Sequence, residues 1–301
     1  MQQKTAIIIA GPTAVGKTAL SISLANHFQT EIISADSRQC YQELNIGVAK
    51  PTLAELQSVK HHFINSHNIF SSLNAAGFER FALNKAAEIF QLHDQLIVTG
   101  GTGLYMKAFI SGFDQMPVIP AEIRESVRAI FQAEGLVGLK VKLESEDPLF
   151  AASADMSNPQ RMMRALEFVR TAGTSIRNYQ HDKRNERPFK IISIGLELPR
   201  KELYDRINER VDKMMESGLL EEVKELLPYK QLNALQTVGY RELFDYLEGT
   251  INLEKAVEKI KQNSRHYAKR QLTWFKADAS IRWFHPDDTD SILTFIHTNR
   301  L

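Results

Sequence analysis

Apolar residues in this chain recur at two different spacings. Short, almost uniformly apolar runs at Thr5 to Ala10 (TAIIIA), Glu31 to Ala35 (EIISA), Gln95 to Thr99 (QLIVT) and Lys190 to Leu198 (KIISIGLEL) are rich in β-branched residues and predict buried strands. Elsewhere the spacing is three and four, which predicts helices over Ala19 to Phe28, 75–92, Leu104 to Ile110, Pro199 to Leu227 with a break at Ser217-Gly218, and Leu253 to Lys276. Ile281 to Phe284 predicts an edge strand. Strands alternating with helices indicate a parallel α/β sheet. Residues 117–187 interrupt that rhythm: Pro117, Pro120 and Pro148 punctuate a charged, mainly helical stretch in which Asn158-Pro159 starts a helix and Gly173 stops it. The pattern predicts a core domain of residues 1–116 plus 188–301, with 117–187 as a helical insertion domain.

Composition narrows the function classes. The 301 residues are 43% hydrophobic and 24% charged, with a net charge of +1 that excludes a globally basic nucleic-acid binder and leaves local patches open. A single cysteine, Cys40, excludes a disulfide framework and a cysteine zinc site. No apolar run approaches the roughly 18 residues that a membrane span needs. The N-terminus enters a strand without a signal-peptide pattern, so a cytoplasmic location and no membrane partner are expected.

The chemistry gathers where strands end. Gly11-Pro12-Thr13-Ala14-Val15-Gly16-Lys17-Thr18 fits G-x-x-x-x-G-K-[ST] and sits between a strand and a helix, the context that makes this string a phosphate-binding loop. Its backbone N–H groups and the helix N-terminus attract phosphate oxygens, Lys17 adds a full charge, and Thr18 offers a hydroxyl to Mg²⁺. Ligands of parallel sheets bind outside the strand carboxyl ends, which brings Asp36 and Thr102 to the same edge. The second acidic motif that P-loop nucleotidases use for Mg²⁺ is missing, since the run at 95–99 continues into Gly100-Gly101. Asp36 reads either as a turn cap or as a general base. Gly100-Gly101-Thr102-Gly103 reads either as a tight turn or as a second anion nest with Thr102 as donor.

Arg161 and Arg164 share a helix face, and Arg206 and Arg210 form an i,i+4 pair that ion pairs with Glu202 or Glu209 would also explain. Residues 255–276 carry seven Lys or Arg against one acidic residue, Glu258, with Tyr267, Trp274 and Phe275 interleaved. A basic helix bearing aromatics suits RNA backbone contacts and base stacking.

Seven strings in order resemble the tRNA dimethylallyltransferase (isopentenyltransferase) family: Gly11 to Thr18, Asp36 to Gln39, Gly47 to Pro51, Gly100 to Tyr105, Asn158 to Arg161 with Arg164 to Glu167, Val238 to Glu242, and Lys269 to Trp274. They span nearly the whole chain. The resemblance implies a P-loop NTPase-like fold and transfer of a dimethylallyl group from its diphosphate to N6 of the adenosine 3′ of the anticodon in tRNAs reading U-initial codons. It implies Asp36 as general base, with Lys17 and Thr102 stabilising the leaving diphosphate, which residues 11–18 and either Arg206 or Arg210 bind, and Thr18 on Mg²⁺. The implied tRNA contacts are Asp36, Ser37, Arg38, Gln39, Thr102, Arg124, Gln160, Arg161, Met162, Met163, Arg164, Val238, Gly239, Tyr240, Arg241, Glu242, Lys269, Arg270, Gln271, Thr273, Trp274 and Phe275. The expected partners are a tRNA anticodon stem-loop and dimethylallyl diphosphate, and a monomer is expected. Val15 departs from the small hydroxyl residue of many relatives, and the lone cysteine leaves no zinc finger, which implies the bacterial form. An adenylate isopentenyltransferase, a P-loop small-molecule kinase and a non-catalytic RNA-binding switch are the competing readings.

Overall fold

The computed structural model describes residues 3–113, 116–179 and 185–300. The chain divides into two compact units, 1–111 with 186–301, and 112–185. These boundaries lie within a few residues of the expected 116/117 and 187/188, and residues 180–184 of the expected insertion fall outside the described residues.

The larger unit begins with β1 (Thr5–Ala10), α1 (Lys17–His27), β2 (Ile32–Ser34), α2 (Leu53–Ser58), β3 (His61–His62), α3 (Ala75–Leu92), β4 (Gln95–Thr99) and α4 (Gly103–Ser111). The smaller unit holds α5 (Ala121–Glu146), α6 (Pro148–Ser153) and α7 (Pro159–Ala172). The larger unit resumes with β5 (Lys190–Leu196), α8 (Arg200–Glu216), α9 (Leu219–Leu226), α10 (Tyr240–Leu247), α11 (Leu253–Lys276), β6 (Arg282–Phe284) and α12 (Thr289–Arg300). Six strands form a parallel sheet in the order β3-β2-β4-β1-β5-β6, a P-loop NTPase-like arrangement with the phosphate-loop strand near the middle.

Strand alternation explains how the sheet is covered. Ile7, Ile9, Ile97, Ile192 and Ile194 face one side and join a buried cluster with Leu20 and Leu24 of α1, Leu203 and Ile207 of α8, and Ile292 and Ile296 of α12. The intervening Ala6, Ile8, Leu96 and Val98 are equally buried and point the other way, where α3 and α4 pack together with Phe78 stacked on Tyr105 at 4.4 Å. A sheet buried on both faces accounts for the continuous apolar runs in its strands. The short elements β3, α2, α10 and α12 were not foreseen from the pattern, because two to three turns or two residues carry too little periodicity.

Among its described residues the smaller unit holds helices and no strand. Asn158 caps α7 by accepting from the Arg161 N–H at 3.2 Å, and Gly173 ends it at φ 68°. Val127, Leu139 and Leu143 of α5, Phe150 of α6, and Met162, Leu166 and Phe168 of α7 form its core. Arg170 pairs with both oxygens of Glu146 at 2.8 and 2.7 Å.

Candidate active site

The carboxyl ends of β1, β2 and β4 open on a cavity of about 730 Å³ that is lined by the phosphate loop, Asp36 to Gln39, residues 47–49, Thr99 to Gly101, and α8, α10 and α11. The loop turns through glycine conformations: Gly11 sits at φ 147°, where a Cβ would lie 2.8 Å from the Leu196 carbonyl oxygen, and Gly16 sits at φ 107° immediately before α1. Lys17 Nζ donates to the Gly11 and Pro12 carbonyls at 2.9 and 2.7 Å. Burial, with a smaller contribution from the Arg210 charge, brings the Lys17 pKa down to about 7, against the opposing pull of Asp36.

The two candidate arginines separate cleanly. Arg210 is enclosed and donates to Thr13 Oγ1 at 3.2 Å, and burial lowers its pKa against the pull of Asp36. Arg206, one turn earlier, holds Glu202 at 2.8 Å and stays partly exposed at the cavity rim. Arg210 therefore faces the phosphate loop directly.

Asp36 caps its turn and also lines the cavity. Its Oδ1 accepts from the Arg38 and Gln39 N–H groups at 2.8 and 3.3 Å, which caps the turn after β2. Among the described residues Oδ2 takes no hydrogen bond, so one oxygen holds the turn and the other is available to a substrate proton. Arg38 donates to the Asn233 and Ala234 carbonyls, and Gln39 to those of Val48 and Ala49. Thr102 does not point its hydroxyl at the phosphate loop, as a donor to a leaving phosphate would. That hydroxyl accepts from the Ser37 N–H at 3.0 Å and donates to Ser37 Oγ at 3.3 Å, so it braces the Asp36 turn.

The residues expected to meet tRNA divide by exposure. Arg124, Gln160 and Arg161 are exposed on the smaller unit, with Met163 and Arg164 half-buried. Arg241, Lys269, Arg270, Thr273 and Trp274 are exposed on α10 and α11, and Val238, Gly239 and Arg270 line the cavity. Five others are turned inward by tertiary packing, away from the exposed surface that the expectation gave them. Met162 and Phe275 are core residues at 0% and 3% exposure. Tyr240 is fully buried and donates to Glu222 Oε1 at 2.6 Å, and burial raises its pKa. Glu222 also accepts from the N–H groups of Asn45, Ile46 and Gly47, which pins the loop beside the cavity. Glu242 is buried, accepting from the Gly239 N–H and from Asn263. Gln271 is buried between two loops, accepting from the Thr13 N–H at 2.8 Å and donating to the Gly101 carbonyl at 2.9 Å.

Sequence reasoning counted Tyr267 only among the aromatics of a basic helix suited to RNA and gave no role to Thr99 or Lys50. Tyr267 lines the cavity one helical turn before Gln271, and burial, then the Asp36 charge, push its phenol up to about 12. The i,i+4 spacing to Gln271 is the signal that would have found it. Lys50, brought down to about 8 by burial, ties together the Tyr41 and Gln42 carbonyls and the Asn45 side chain.

Residues 39–278 match the family model described as IPP transferase. This chain belongs to that family. A tRNA dimethylallyltransferase of Cytophaga hutchinsonii is 46% identical over 293 residues, covering 97% of this chain and 96% of its own. One from Christiangramia forsetii is 47% identical over 282 residues, covering 94% and 93%. Among solved structures, a full-length tRNA isopentenylpyrophosphate transferase from Bacillus halodurans aligns with TM-score 0.74 at 37% identity over 99% of this chain and 97% of its own. A eukaryotic dimethylallyltransferase acting on tRNA aligns with TM-score 0.78 at 27% identity, over 98% of this chain and 77% of its own.

Proposed function

We infer that this IPP transferase moves a dimethylallyl group from dimethylallyl diphosphate to N6 of the adenosine 3′ of the anticodon in tRNAs reading U-initial codons, releasing diphosphate. The observation that carries this reading is one cavity in which Lys17, Arg210 and the phosphate loop stand beside Asp36. Anion-stabilising groups and a base sharing one cavity suit a displacement at an allylic carbon. The adenosine leaves its stack to reach the cavity, at a cost of about a few kcal/mol. As the N6–C1 bond forms and the C1–O bond breaks, the N6 proton passes to Asp36 Oδ2. The diphosphate takes the electron pair and is held by the loop N–H groups, Lys17 and Arg210. Thr102 acts through Ser37 by keeping the Asp36 turn in place.

Among the described residues no cluster of His, Cys, Asp or Glu forms a metal cage. The residues suit Mg²⁺ carried largely by substrate oxygens and water, with the Thr18 hydroxyl as the protein ligand. Thr99 at the end of β4 lines the same cavity, and its buried Oγ1 has no hydrogen-bond partner among the described residues. Mg²⁺ bound there would neutralise part of the charge that develops on the diphosphate. The exposed Arg161, Arg241, Lys269, Arg270 and Trp274 supply the tRNA contacts, backbone phosphates to the cations and a stacked base to the indole. A tRNA acceptor implies the cytoplasm, and one chain holds every residue named, so a monomer suffices.

The test is transfer of label from dimethylallyl diphosphate, with Mg²⁺, to an unmodified anticodon stem-loop and in parallel to AMP. Label on the stem-loop alone, lost when the target adenosine becomes guanosine, is expected. Label on AMP alone would replace the tRNA acceptor with a free nucleotide.

A further inference from the structure

The site has two halves. Residues 11–18 with Arg210 hold the leaving group, and the Asp36 turn braced by Thr102 takes the proton. The halves hang on different strands, and the productive geometry depends on the distance between them. One side chain spans them. Gln271 accepts from the Thr13 N–H at 2.8 Å in the phosphate loop and donates to the Gly101 carbonyl at 2.9 Å, next to Thr102. The partners admit only one orientation of its amide, because Thr13 needs an acceptor and Gly101 needs a donor. The fit to the glycine loop is tight: a Cβ on Gly101 would lie 2.2 Å from Gln271 Nε2, and one on Gly103 would lie 2.3 Å from the Trp274 ring. Helix α11 thus seats on this loop through two side chains three residues apart.

We propose that Gln271 is a positioning residue that sets the separation between the diphosphate half of the site and Asp36, and that it does not contact tRNA. The proposal rests on the transferase reading above. Its neighbours on α11 show the division of labour: Arg270 and Trp274 are exposed for RNA, whereas Gln271 is 6% exposed and committed to the two loops. An ångström of slack between reacting groups costs about 10²-fold in rate, so a residue that touches neither substrate can still govern kcat.

Gln271→Met keeps the length of the side chain and removes both hydrogen bonds. Turnover at saturating donor and stem-loop is expected to fall about 10- to 100-fold, while the stem-loop Kd, measured directly by fluorescence anisotropy, stays within about twofold. A tenfold weaker stem-loop Kd with kcat intact would make Gln271 an RNA contact and overturn the proposal. Unchanged kcat, or parallel losses in kcat and in both affinities, would overturn it as well. If Gln271→Met does not fold, Gly101→Ala carries the test by forcing a methyl group against Nε2; the same split is expected, and an unaltered kcat would sink the idea. Wild-type protein in the same assay keeps the two readings apart, since failure of the wild type to transfer label counts against the transferase and not against Gln271.

Discussion

The phosphate loop with the Asp36 turn and the 238–276 stretch are both dense in motif residues, and they use them differently. In the first region the motif residues converge on one cavity, because a loop between a strand end and a helix start turns its backbone toward a single point. In the second the motif residues lie on helices and divide with the helical period. Tyr240, Glu242, Gln271 and Phe275 turn inward, while Arg241, Lys269, Arg270, Thr273 and Trp274 turn out. A conspicuous string on a loop reports one site. The same kind of string on a helix divides between two faces, one exposed and one bracing the scaffold.

The sharpest challenge to that comparison lies at Asp36, which both caps and faces the cavity. Asp36→Asn keeps an Oδ1 for the Arg38 and Gln39 N–H groups and removes the base, so kcat is expected to fall about 10²- to 10⁴-fold with donor affinity retained. Donor affinity dropping as far as turnover in an equilibrium titration would contradict the assignment.

Arg210 and Arg206 offer the next contrast, one turn apart on a single helix. Arg210→Gln removes a buried charge beside Thr13 and is expected to raise the donor KM about 10- to 100-fold, the scale of a charged hydrogen bond. Arg206→Gln breaks a half-exposed pair with Glu202 and is expected to change it by less than about threefold. Equal effects in steady-state kinetics would erase the distinction.

Lys17 makes donor binding depend on pH. Its pKa of about 7 leaves it neutral above that pH in the free protein, and a bound diphosphate restores the charged form, so binding takes up a proton. Donor Kd is expected to rise with pH above about 7, by up to about tenfold per unit. Calorimetry at pH 8 in two buffers of different ionisation enthalpy should show uptake close to one proton, and none would show that Lys17 is already charged. The unfolded chain binds this proton more tightly than the folded one, so this group alone makes stability rise with pH from about 7 toward the ordinary lysine value.

The smallest effects separate the two faces of α10. Tyr240→Phe strips the buried hydroxyl from the half-buried Glu222 carboxylate and is expected to cost about 1–3 kcal/mol in urea denaturation, with stem-loop affinity unchanged. Arg241→Gln is expected to do the reverse, with stability within about 0.5 kcal/mol and weaker, less salt-dependent RNA binding. A stability loss from the arginine or an RNA-specific loss from the tyrosine would reverse the two faces.

Much was legible along the chain for a local reason. The run TAIIIA is a strand because uniformly apolar β-branched residues suit a sheet covered on both faces, and β1 occupies those same residues. Asn158 and Gly173 bound α7 through hydrogen bonds and a backbone conformation that reach only a few residues. The phosphate loop likewise depends on its own glycines and the two elements beside it. What stayed hidden needed partners far away in sequence. Nothing near Tyr240 announces Glu222, nothing near Gln271 announces Thr13 and Gly101, and the choice between Arg206 and Arg210 rests on which turn of α8 meets the loop. Motifs and periodicity in the sequence by itself determined the sheet, the phosphate loop and the family, because each is written in contiguous residues. Only the tertiary structure decided which motif side chains face the cavity or solvent and which are buried in the scaffold, because burial belongs to surfaces that the chain assembles from distant segments.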